Sequence, residues 1–258
     1  MQKRLSPGLV ALVHVGIMFL PGIPAYLWLW PNVKGTAWLM PIHVAVYFYF
    51  LAGCLIIGLR RWSLSDLGLN RKGVGLSLAC GGAFILVRQL GLLALGFSPE
   101  LQPLTFRRLA GEIGFYFGLV GPIEELLFRG LIYRALDEWR GTRLAIWGSA
   151  LAFGMYHVGW QGPLGALGCF VAGLIFGAIR WRAGGIVGLI LAHSLLDVIA
   201  LEMHPDLTLE QIRQVQVVHP SLAILGDLIL LALIVYLWKL YPAFERIKPG
   251  ALFKKTER

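Results

Sequence analysis

Two glutamates stand side by side in an apolar stretch, Gly121-Pro122-Ile123-Glu124-Glu125-Leu126-Leu127-Phe128-Arg129-Gly130. A charge at the centre of a membrane helix costs about 2.5–3.5 kcal/mol even on lenient insertion scales, so such a residue needs a partner or a task. Glu125 and Arg129 are four apart on one helix face and can pair. Glu124 is turned about 100° away and is left without that cation. Pro122 frees a carbonyl just upstream, so the helix is expected to kink or begin there. A second apolar stretch carries Phe153 and His157 on one helical face, and a third carries His193 and Asp197 one turn apart. A carboxylate base, an imidazole and further charge-stabilising groups are what activation of a water requires. The same residue types also make a two-His, one-carboxylate metal site, so a divalent metal such as zinc stays open, with Glu124, His157 and His193 as its ligands.

Each of these residues must be delivered by an element, and the composition says what kind. The 258 residues are 57% apolar and 14% charged, with a mean hydropathy of +0.71. Soluble domains average about 45–50% apolar and about 25% charged. So apolar a chain implies lipid as its solvent, and therefore helices whose backbone bonds close internally. Apolar stretches of spanning length lie at about 8–30, 36–59, 73–97, 109–133, 144–160, 164–180, 184–202 and 220–240. The expected fold is an all-α polytopic membrane bundle of about eight transmembrane helices, one integral-membrane domain over 1–258 with a motif-bearing core at 109–202. The first stretch is too long for a removable signal and is expected to stay as an anchor.

Lys and Arg cluster in alternate loops, which sets the orientation. With the N-terminus inside, Lys34, Arg107, Arg108 and Arg213 are the loop cations left outside, and both termini are cytoplasmic. Arg180 and Arg182 count among the inner loop charges. The net charge of +9 is thus a topology signal, and nucleic acid is not an expected partner. Gly173 with Gly177, and Gly184 with Gly188, are spaced to let the sixth and seventh spans approach closely. Cys54, Cys80 and Cys169 read as small buried hydrophobes. Arg88, inside the third span, has Glu112, Glu124 or Asp227 as candidate partners. His14 and His43 lie nearer the front of the chain.

Taken in order, Glu124-Glu125-x-x-x-Arg129, Phe153-x-x-x-His157 and His193-x-x-x-Asp197 resemble the three motifs of the CAAX protease and bacteriocin-processing (CPBP, Abi) membrane proteins. That family includes the type II CAAX prenyl endopeptidases. The loop Ser63-Leu64-Ser65-Asp66-Leu67-Gly68-Leu69 is similar to the family's lead-in. The resemblance implies a glutamate-dependent intramembrane endopeptidase in a bacterial-type cytoplasmic membrane, acting on a membrane or lipid-modified protein or peptide. It implies Glu124 as general base and His157 as holder of the attacking water, with His193 and Asp197 at the oxyanion. Glu125, Arg129 and Phe153 are implied as support. Where this chain has Asp197 the prenyl endopeptidases carry Asn, and an ionised Asp cannot donate to an oxyanion. Asp197 must then be protonated, orient His193 or bind a metal. Two other classes stay in play: a non-catalytic membrane partner or regulator that keeps the motifs for packing, and a transporter or proton relay. No inverted repeat supports the last.

Overall fold

The computed structural model describes residues 6–21, 29–33, 36–94 and 105–203, and among these residues the fold is helical with no strand. The eighth stretch, Asp227 and Arg213 lie outside the described residues. Two compact units divide the chain, one of residues 1–89 and 99–205, the other of residues 90–98 and 206–258.

Helix α1 (Pro7–Phe19) starts at Ser6, whose hydroxyl accepts the Leu9 N–H at 3.2 Å, with Pro7 at the first helical position. The short α2 (Trp30–Val33) leads to α3 (Leu39–Leu59) and α4 (Val74–Ala94). From residue 106 to 140 the chain is helical without a break, but the winding changes. An α-helix (α5, Phe106–Phe115) gives way to a π-helical stretch, Tyr116–Val120. One α-turn (α6, Gly121–Glu125) is followed by a second π stretch, Leu126–Ile132, and then by α7 (Tyr133–Arg140). The expected disturbance at Pro122 therefore takes the form of a wider turn. Proline has no N–H for residue 118, and its ring would strike that carbonyl; the π winding gives it room.

Helix α8 (Thr142–Ala183) is continuous by its hydrogen bonding and contains Pro163, yet it is not straight. A Cβ on Gly173 would lie 2.9 Å from the Ala150 Cα, and one on Gly154 would lie 2.9 Å from the Ala166 oxygen. In a straight helix residues 150 and 173 would be about 35 Å apart. The element is thus an antiparallel hairpin, matching the fifth and sixth expected stretches. The glycine spacing has a different use from the expected one. Gly173 and Gly177 close the hairpin against Ala150 and Ile146 rather than joining the sixth span to the seventh. Gly188 packs on Ser77 and Val74 of α4, and Gly184, at φ 72°, caps α8 in the left-handed region. The pattern reports where a backbone approaches closely but not which backbone it meets.

Helix α9 (Val187–Met203) completes the described set. Among the described residues, three segments are long and apolar enough to cross a membrane, Leu39–Leu59, Val74–Leu93 and Gly165–Ala183, and Pro7–Phe19 and Val187–Ile199 are shorter apolar helices. The 106–140 helix misses that standard because it carries Glu112, Glu124, Glu125 and Arg129. Large apolar side chains such as Val87, Leu86 and Phe48 are exposed on α3 and α4, as suits lipid-facing surfaces. Inside, Phe176, Ile179, Ala183 and Leu189 form a buried cluster with Phe84 and Cys80 against it.

The 63–73 loop is built to grip the bundle. Ser63 donates from both its hydroxyl (2.6 Å) and its backbone N–H (3.0 Å) to Asp66, which holds that exposed carboxyl below the usual carboxylate range. Leu67 is fully buried, Gly68 turns at φ 91°, and its oxygen accepts the Ile186 N–H at 2.8 Å. Arg180 corrects the sequence reading of it as a loop charge. It is 7% exposed, and it donates to the backbone oxygens of Arg129 and Asp66, both at 3.2 Å, while lying 5.6 Å from the Tyr133 ring. Its guanidinium ties the loop to the motif helix; counting charges by loop cannot detect such a use.

Candidate active site

The single α-turn between the two π stretches sets Glu124 and Glu125 side by side on separate faces, both buried. Glu125 Oε1 accepts from Arg129 Nη1 at 3.0 Å, and neither side chain reaches solvent. Nε and Nη2 of Arg129 have no hydrogen-bond partner among the described residues. Instead the guanidinium lies over the Phe153 ring at 4.2 Å and near that of Phe176 at 5.4 Å. Phe153 is thus a platform: its ring also meets Phe128, His157 and His193 at centroid distances of 5.1, 4.5 and 5.8 Å.

The two histidines approach from different helices, His157 from the first arm of α8 and His193 from α9. The Phe153 oxygen lies 2.8 Å from His157 Nδ1 and can only accept, so Nδ1 holds the proton and Nε2 presents a lone pair. His193 Nδ1 donates likewise to Glu125 Oε1 at 2.8 Å. Both Nε2 atoms consequently turn to Glu124, whose Oε2 is 3.8 Å from His157 and 3.7 Å from His193. Asp197 Oδ2 stands 3.5 Å from His193 Nε2, at the half-open edge of the cluster. All seven residues singled out by the three motifs are therefore brought together. Arg88 donates to Gln89 at 3.0 Å and feels the charge of Asp197, a neighbour absent from its expected partners. His14 is engaged locally with the Val10 oxygen.

Glu124 Oε1 accepts the Tyr47 hydroxyl of α3 at 2.8 Å, whereas Oε2 is buried and has no hydrogen-bond partner among the described residues. Tyr47 was not legible as a site residue. It sits in an aromatic run, Tyr47-Phe48-Tyr49-Phe50, that has the composition of any lipid-facing helix. Ser194 is a second omission, donating to the Tyr116 oxygen at 2.9 Å and so tying α9 to the first π stretch. Among the described residues, no group of three or more His, Cys, Asp or Glu side chains is disposed to hold a metal ion. What these groups offer by themselves is proton transfer and charge stabilisation.

Residues 107–199 match the family model of Rce1-like type II CAAX prenyl endopeptidases. This segment is similar to the type II CAAX prenyl endopeptidases. The matched residues contain all three motifs, so the family supports a CAAX-type intramembrane protease kind of function and membrane residence. Helix α3 with Tyr47, and the 63–69 loop, fall outside the CAAX protease match. No curated protein and no solved structure matches the chain.

Proposed function

We propose that the chain is a multi-pass intramembrane endopeptidase in which Glu124 activates a water against a peptide bond of a membrane-associated substrate, lipid-modified or not. The observation that carries this reading is the buried Oε2 of Glu124, which has no hydrogen bond among the described residues and faces two imidazole nitrogens at 3.7 and 3.8 Å. Polar atoms at such separations are the right distance apart to share one water.

In the proposed reaction Glu124 Oε2 takes a proton from that water while the His157 Nε2 lone pair holds its other hydrogen. The hydroxide adds to the scissile carbonyl carbon and leaves a tetrahedral oxyanion. His193, with Nδ1–H committed to Glu125, stabilises that charge through Nε2–H when it carries a second proton. Asp197, 3.5 Å away, supports that proton and orients the ring, the role of the three open to it that requires no donor of its own. The proton held by Glu124 then passes to the departing nitrogen as the C–N bond breaks, which returns the carboxylate. Glu125 and Arg129 stay paired throughout and serve as the frame for His193.

Mass spectrometry of membrane-protein termini, in cells carrying the natural chain or Glu124→Gln, tests the reading. Termini that disappear in the variant at equal membrane level identify a protease and its substrate. Identical profiles with an unchanged phenotype would sink the reading in favour of a regulator.

A further inference from the structure

We propose that Tyr47 is a positioning residue, one that fixes which oxygen of Glu124 receives the water's proton. This rests on Glu124 being the base. A carboxylate has two equivalent oxygens, and a base buried among several polar groups can present either. Here the choice is imposed from α3, 77 residues upstream: the Tyr47 hydroxyl donates to Oε1 at 2.8 Å, which leaves Oε2 turned to His157 and His193. The tyrosine is itself held. Its ring meets Phe115 edge-on at 6.1 Å, and its oxygen lies within the electrostatic reach of Tyr156. Tyr156 in turn packs on Phe50, Phe128 and His157 at 5.9, 5.5 and 5.1 Å. With only two side-chain torsions, both confined by aromatic neighbours, Tyr47 loses little freedom in keeping this bond. Rotating the carboxylate would leave its half-buried hydroxyl without that acceptor. The catalytic arrangement therefore needs a helix outside the family-matched segment.

The test uses the purified full chain in lipid vesicles and a synthetic peptide spanning one of the cleavage junctions that depend on Glu124 in cells. Tyr47→Phe keeps the ring and removes one oxygen. It should lower kcat about ten- to hundredfold, the scale of a hydrogen bond to a charged group, and leave KM unchanged because Tyr47 touches Glu124 and not substrate. Tyr49→Phe is the structural control. Tyr49 lies on the same helix and donates to the Met18 oxygen at 2.8 Å, so its loss should spare kcat. Phe115→Leu, which loosens the Tyr47 ring without touching the carboxylate hydrogen bond, should lower kcat by a smaller factor and gives an answer if Tyr47→Phe does not fold. Wild-type kcat in Tyr47→Phe, or in Phe115→Leu where the first variant fails, overturns the inference. So does a raised KM with unchanged kcat. Full activity in Glu124→Gln strikes instead at the base assignment, so the two failures are told apart.

Discussion

Glu125 is the most committed side chain of the site, accepting from Arg129 and from His193 in a place with no solvent. Removing one partner of such a pair leaves a charge buried without compensation, at about 3–5 kcal/mol. Arg129→Met should therefore lower the unfolding free energy of the detergent-solubilised protein by an amount of that order, seen as a clear drop in its thermal unfolding temperature. Adding Glu125→Gln should restore part of it, because the amide oxygen still accepts from His193. Asp197 is a milder case. Asp197→Asn keeps an oxygen for His193 and should retain most turnover, whereas Asp197→Ala removes it and should lose more; single-turnover cleavage rates compare them. The motif residues were legible because charges and imidazoles in lipid are costly enough to be conspicuous, and their helical spacing gave the Glu125–Arg129 pair before any coordinates. Tyr47 was not, since a tyrosine in a membrane helix costs nothing that sequence reveals. Arg180 was misread for the opposite reason, being a cation where topology already accounts for cations.

At the scale of elements, the two π stretches and the α8 hairpin decide where those residues meet. A π turn follows local hydrogen-bond competition around Pro122, and the sequence announces the disturbance without its form. The hairpin was foreseen as two spans, but its glycines were assigned to the wrong partner, because small-residue spacing says nothing of the surface opposite. Gly173→Leu should lower stability by about 1–3 kcal/mol, since the obstacle is the backbone of Ala150 and cannot swing aside. Gly168→Ala, with nothing within 4 Å of its Cβ position, should be neutral in the same unfolding measurement. The lead-in loop adds a pH dependence. Asp66 has a folded value below its ordinary 3.8, so its contribution is present above that value and is lost as pH falls through the lower folded one. The unfolding-temperature gap between the natural chain and Asp66→Ala should be small, because the group is exposed, and should close in acid.

For the whole molecule, composition alone pointed to a helical membrane protein, and among the described residues three segments have the length and apolarity to cross a bilayer. The 106–140 helix is less apolar for a functional reason, since the helix that bears the chemistry cannot also be a clean hydrophobic span. The distribution of Lys and Arg predicts an orientation with the N-terminus inside, which labelling tests. In a background with the three cysteines replaced by Ser, a cysteine at Lys3 should be shielded from a membrane-impermeant maleimide applied outside, and one at Lys34 should react.

The most direct measurement is the turnover of one such junction peptide by the purified natural chain and by Glu124→Gln, at matched folding and reconstitution. If Glu124 is the base, the variant should lose about 10²–10⁴ in kcat, the usual contribution of a positioned general base, with the peptide still bound. Equal turnover by the two proteins would contradict the central claim and leave the buried carboxylate a structural feature.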